Sequence, residues 1–199
     1  MKHIFAKALT ALVLLVGATA SAAAQGVKLD WPAQTPLPNI PFVEQFVYYS
    51  DTGKAGMTTW AEIKAAVADR AISTGKKQAL SQAKNPYLRS APVSLVTPGR
   101  VVYKSAAGTL ELIYALKDRD AVSGYVYAYL IGFDASGRYI DSILASEALV
   151  SSPGDGNLVI SNKKLVQYGV GKVTVQTDDG GDTYHDIYNI TAQLKFVKE

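Results

Sequence analysis

One histidine beyond the first 24 residues, a run of aspartates and a ladder of tyrosines are the groups in this chain with chemistry to offer. His185 lies between Tyr184 and Asp186, close to Asp182. A Ser-His-Asp hydrolase would need a nucleophile presented on a G-x-S-x-G elbow, and the sequence has none. Strand alternation instead puts His185 on a wet face. A zinc shell is poorly supplied, because with no cysteine only carboxylates would remain to complete it.

Asp178, Asp179 and Asp182 surround Gly180-Gly181, and clustered carboxylates with glycines are a means of wrapping a hard cation. Calcium is therefore the one cofactor the sequence suggests. The alternating spacing of an EF-hand loop is missing, however, and no Glu follows at the right distance. Asp and Gly are also the residues a hairpin turn selects for backbone reasons. Gly169-Val170-Gly171-Lys172 is a fragment of a phosphate loop without its upstream glycine or its following Ser or Thr. Its flanks read as strand.

Glycoside hydrolysis needs two carboxyl groups about 5–10 Å apart. Asp141 and Glu147 fall on the same side of one expected strand, but six residues of strand separate them by about 20 Å. Glu111, in the apolar run LELIYAL, is the acid whose burial would matter most. Tyr125, Tyr127 and Tyr129 recur at period two. They form either a platform for a sugar or peptide, with flat faces to stack and hydroxyls to bond, or one aromatic face of a sheet core. Asn189-Ile190-Thr191 is a glycosylation sequon within an expected strand, relevant only where exported proteins are glycosylated.

The elements that must position these groups begin after a targeting segment. Lys2 and Lys7 precede the uncharged run Ala8 to Ala20, and Ser21-Ala22-Ala23-Ala24 follows with small residues. That order is a secretory signal, with cleavage expected after Ala24 or after Ala22. The apolar run is short of the roughly 20 residues a spanning helix needs. Without cysteine, no lipid can be attached there through a thiol. The expected organisation is a signal peptide at 1–24, a proline-rich extended leader at 25–41, and one β-rich domain at 42–199. Without Lys2 and Lys7, 18 basic residues face 17 acidic ones, with no dense basic patch. Nucleic acid is a poor partner for such a surface.

Within the domain, Phe42–Tyr49 reads as a strand. Thr59-Trp60-Ala61-Glu62 has the spacing of a capping box, and Trp60, Ile63 and Val67 recur at helical spacing. The pattern predicts a helix from Thr59 to about Ser73, and Gln78–Ala83 could form another turn before Asn85-Pro86 breaks it. From Ala91 short strands alternate with Gly, Asp, Ser and Pro clusters: Pro92–Val96, Arg100–Lys104, Thr109–Leu116, Gly124–Phe133, Arg138–Leu149, Leu158–Ser161, Leu165–Val170, Lys172–Thr177 and Thr183–Val197. Such spacing favours antiparallel neighbours.

Two hairpins carry a register. A four-residue loop at Asp134–Gly137 would set Phe133 against Arg138, Ile131 against Ile140 and Tyr127 against Leu144. Tyr125 to Phe133 then share one face, with Val126, Ala128, Leu130, Tyr139 and Ile143 on the other. A turn at Asp179–Asp182 sets Asp178 against Thr183, Val173 against Tyr188 and Val175 against Asp186. The fold class is mainly β, an antiparallel β-sandwich or open barrel with one N-terminal helical insertion.

The function expected is an exported, soluble, non-catalytic binding or interaction module in the periplasm or outside the cell. Its ligand would be a small molecule, glycan or protein, and membrane integration is not expected. A carboxylate-dependent hydrolase of an envelope polymer and an assembly subunit or small outer-membrane barrel are the alternatives.

Overall fold

The computed structural model describes residues 58–68, 72–90, 100–154, 158–169 and 171–199. The expected signal peptide, leader, first strand and Pro92–Val96 strand lie outside the described residues. Among the described residues, three short helices precede eight strands: α1 (Trp60–Ala68), α2 (Thr74–Leu80), α3 (Pro86–Ser90), β1 (Arg100–Ser105), β2 (Gly108–Asp118), β3 (Ser123–Asp134), β4 (Tyr139–Ser151), β5 (Val159–Gly169), β6 (Lys172–Asp179), β7 (Asp182–Ile190) and β8 (Phe196–Lys198). Every strand pairs antiparallel with its neighbour in sequence. The expected mainly antiparallel β class holds, as a meander in which five strands curl into a half-barrel and three form a smaller sheet.

The helices obey their cap signals. Glu62 N–H donates to the Thr59 hydroxyl, and the Thr59 N–H donates back to Glu62 Oε2 at 3.1 Å, which is the reciprocal capping box. Ser73, expected near the end of this helix, instead caps the next one, its Oγ accepting from Lys76 N. A serine side chain satisfies a free N–H at a helix start better than anything at a helix end. α2 ends earlier than expected, at Leu80 with Ser81 as its C-cap, and Asn85-Pro86 instead opens α3: Asn85 Oδ1 accepts from Tyr87 N, and proline takes the first helical position.

Hairpin β6–β7 has the register read from the sequence, with Asp178 opposite Thr183, Val173 opposite Tyr188 and Val175 opposite Asp186. Gly180 and Gly181 both take positive φ, 62° and 107°. A two-residue hairpin loop of this kind excludes most side chains there.

Hairpin β3–β4 departs from expectation. Asp134 N–H donates to Arg138 O, and Gly137, at φ 79°, donates to Asp134 O, so the loop is three residues long. Phe133 therefore faces Tyr139, and Tyr139 joins the tyrosine face. Two bulges, at Ala128/Tyr129 and at Gly132/Phe133, then each add a residue on β4. Ile131 meets Ser142 and Tyr127 meets Glu147. Bulges deepen local twist, which suits a curled sheet.

The expected last strand is also two. It stops at Ile190, turns through Thr191–Lys195, and returns as β8 with Phe196 opposite Ile190. Side-chain alternation continues through the turn, which hid it. The expected strands Leu158–Ser161 and Leu165–Val170 are one continuous β5.

β2 and β3 pair without a break, so their even-numbered residues share one face. That face is the inside of the curl. Val102 of β1 and Leu110, Leu112, Ala128 and Leu130 there meet Val173, Val175 and Ile190 from strands far along the ladder. α1 closes one end of this interior, with Trp60, Ile63 and Val67 packed on Leu116, Val126, Ala148 and Val150. Trp60 is fully buried; its indole N–H donates to Asp118 Oδ1 at 2.7 Å, and its ring lies on the backbone at Gly124. Leu194 closes the other end from a left-handed φ of 62°, held because its carbonyl and side chain pack against Gly132. Phe196 N–H donates to Asp141 Oδ2 beside it. α2 and α3 cover the outer face, where Ile72, Ala79, Leu80, Ala83 and Leu88 pack on Ile113, Ala115, Tyr129, Ile131 and Phe133.

A methyl group at Gly124 would lie well inside contact distance of the Trp60 ring and 2.6 Å from Lys117 O. Gly124→Ala is expected to cost about 3 kcal/mol in urea unfolding. In a Trp60→Leu background the added cost should shrink, and strict additivity would show that the ring is not the obstacle. The Asp134 carboxyl is held well below the usual carboxylate range by the Ser136 hydroxyl, the Arg138 N–H and the Arg138 guanidinium. A depressed folded-state pKa gives stability present above the unfolded value, about 3.9, and lost as pH falls towards the folded value. Asp134→Asn should therefore lower the melting temperature at pH 7, and the gap to wild type should close on acidification.

Candidate functional site: the outer tyrosine face

The odd-numbered residues of β3 point outward. Tyr129, nearest the helices, is 1% exposed and belongs to the packed layer. Tyr127 is half-buried, with its ring 6.5 Å from Tyr129 and 6.2 Å from Tyr125. The ladder is thus graded: one end is core, and the other reaches the surface. α3 adds a residue that alternation could not supply. Tyr87 lays its ring against Tyr127 at 4.7 Å between centroids, tilted by 52°. The signal for it was Asn85-Pro86, a cap followed by a first-turn proline, which sets Tyr87 at the start of a helix.

Cross-strand pairing frames these rings with charge. Glu147 lies directly opposite Tyr127, Lys117 lies opposite Tyr125, and the Lys117 ammonium sits 5.8 Å from the Tyr87 ring centre. Lys164, opposite Glu147, donates to the Thr177 hydroxyl at 2.8 Å. Burial pushes the phenols of Tyr87, Tyr127 and Tyr129 upward, and the Glu147 carboxylate adds to the shift in each. These hydroxyls therefore stay protonated at neutral pH and can donate as well as accept.

The aspartate loop is arranged as a turn. Asp178 Oδ1 accepts from the Thr183 hydroxyl and the Gln176 amide, while Asp179 and Asp182 face each other across Gly180-Gly181. Among the described residues, no three His, Asp or Glu side chains converge closely enough to hold a metal ion. Gly169 and Lys172 close the β5–β6 hairpin, with Gly171 at φ 70°. His185 is exposed opposite Gln176. The amide of the sequon residue Asn189 donates to Glu199 Oε1.

The carboxylates of the hydrolase alternative are apart. Asp141 and Glu147, expected on one side of β4, fall on opposite faces because a bulge lies between them: Asp141 pairs with Gly132 and Glu147 with Tyr127. Asp141 accepts from the N–H groups of Ser142 and Phe196. Glu111 is buried, ion-paired with Lys76 of α2, and accepts from the Thr109 hydroxyl.

Comparison of the chain with protein-family models, with curated proteins and with solved structures gave no match.

Lys76→Met would leave the Glu111 carboxylate buried without its partner. It is expected to cost about 3 kcal/mol in denaturant unfolding, since an uncompensated buried charge is the main penalty. Lys76→Met/Glu111→Leu should regain most of that loss. Failure to regain it would show that Lys76 stabilises by packing its stem rather than by charge.

Proposed function

We propose that this chain is an exported, non-catalytic binding module that takes a glycan or peptide across the row Tyr125, Tyr127 and Tyr87. The observation that carries the reading is the Tyr87–Tyr127 ring pair, built from two separate elements, half-buried, and edged by Glu147 and Lys117. Rings fixed in place offer contact area at little entropic cost, and their hydroxyls add directional bonds.

Export rests on the charge, apolar core and small-residue order of residues 1–24. A soluble body is favoured by where the helices sit. They cover the outer face of β2–β4, the side on which a membrane barrel would need its apolar band. No helix among the described residues is long and apolar enough to cross a membrane.

The test is a titration of the purified protein against a panel of oligosaccharides and unstructured peptides. A ligand should appear whose Kd rises about tenfold on Tyr127→Ala, since an aromatic contact is worth about 1 kcal/mol beyond its buried area. Tyr87→Ala should weaken the same ligand. A bound ligand indifferent to both variants, or a panel with no ligand at all, would count against the tyrosine row.

A further inference from the structure

Away from the tyrosine row, a groove of about 580 Å³ opens between α2 and the β3–β4 hairpin. Its size is that of pockets that hold small molecules. Only two charged side chains line it, Lys76 from the helix and Arg138 from the hairpin, and both are cationic. Their carboxylate partners, Glu111 and Asp134, are not part of the lining.

Each cation is held by its partner through part of its donor set. The Lys76 ammonium has three N–H groups, and Glu111 is its one hydrogen-bond partner among the described residues. The Arg138 guanidinium gives its Nε–H to Asp134, and no partner for its terminal amino groups exists among the described residues. That side chain is 80% exposed. The carboxylates thus use only part of each cation's donor set, and the Lys76 ammonium also sits 5.5 Å from the Phe133 ring centre. Gln78, Gln82 and Gly75 add neutral polar groups to the wall, while Ser136 gives its hydroxyl and N–H to Asp134. The outcome is a groove lined by two cations and neutral polar groups, without a lining carboxylate, between a helix and a hairpin.

We propose that this groove is a binding site for a small hydroxylated anion, a sugar acid or a sugar phosphate. The anionic group would sit between Lys76 and Arg138, and the hydroxyls would meet the glutamine amides. Arg138 matches a carboxylate or a phosphate through paired N–H groups, and Lys76 acts as a point charge. Because Glu111 and Asp134 offset the net charge nearby, binding should be weak and salt-sensitive.

The experiment is a backbone-amide NMR titration of the purified protein at low salt with glucuronate, glucose 6-phosphate and uncharged glucose. Saturable shifts at Gly75, Ser136 and Gly137 are expected with an anion, with glucose at least tenfold weaker. Glucuronate alone would mark a carboxylate site, glucose 6-phosphate alone a phosphate site, and both together a general anion site. Arg138→Glu should weaken binding at least tenfold. Gln82→Glu, which puts a carboxylate in the wall without touching the Asp134 turn, should do the same. Tyr127→Ala should leave this titration unchanged, so it reports separately from the tyrosine row. Absence of saturable shifts with either anion, glucose binding as tightly as the anions, or indifference to both charge variants in folded protein would overturn the proposal.

Discussion

The interior of the curled sheet exists because β3 lacks a side chain at two places on its inward face. Gly124 and Gly132 lie eight residues apart, roughly 26 Å at strand rise. Trp60 rests on the first, and the Leu194 turn rests on the second. An open half-barrel leaves the ends of its apolar interior to water unless something covers them. Here a helix from before the sheet and a turn from after it supply the covers, and each needs backbone-level approach to β3. The left-handed φ of Leu194 follows from the same constraint. A leucine in that region costs about 1–2 kcal/mol, and full burial of its side chain offsets the cost.

The outer face divides by what the helices reach. α2 and α3 bury the half of β3 near the β3–β4 hairpin, including Tyr129, Ile131 and Phe133. The other half, with Tyr127 and Tyr125, keeps partial exposure and gains Tyr87 from the start of α3. A ladder that looks uniform in the sequence thus serves as core at one end and as surface at the other. The Lys76–Glu111 pair lies at the buried end, where a carboxylate on an otherwise apolar strand face would be costly without its ammonium.

Much of this architecture was legible in residue patterns, and the failures have a common cause. The capping box, the Trp60-Ile63-Val67 stripe and the Gly180-Gly181 turn are local signals, and each formed as its chemistry requires. What misled was counting through irregular backbone. Bulges at Ala128/Tyr129 and Gly132/Phe133 moved the β4 register and sent Asp141 and Glu147 to opposite faces. The Thr191–Lys195 turn escaped because apolar and polar residues go on alternating through it. Asn85-Pro86 marks Tyr87 as the start of a helix, but its pairing with Tyr127 was unreadable for another reason: it spans 40 residues, and periodicity within an element says nothing about contacts between elements.

The eight described strands find their partners in the adjacent strand, so the sheet can be laid down in the order in which the chain is made. Trp60 is bound by no such order. Its indole bonds Asp118, 58 residues later, and its backbone N–H bonds the Ser152 hydroxyl, 92 residues later. A chain emerging from its N-terminus therefore presents the apolar stripe of α1 long before the surface that receives it. During that interval the stripe is open to a holding chaperone or to a wrong partner. Docking of α1 then belongs to a late stage of folding, after β2, β3 and β4 have come together.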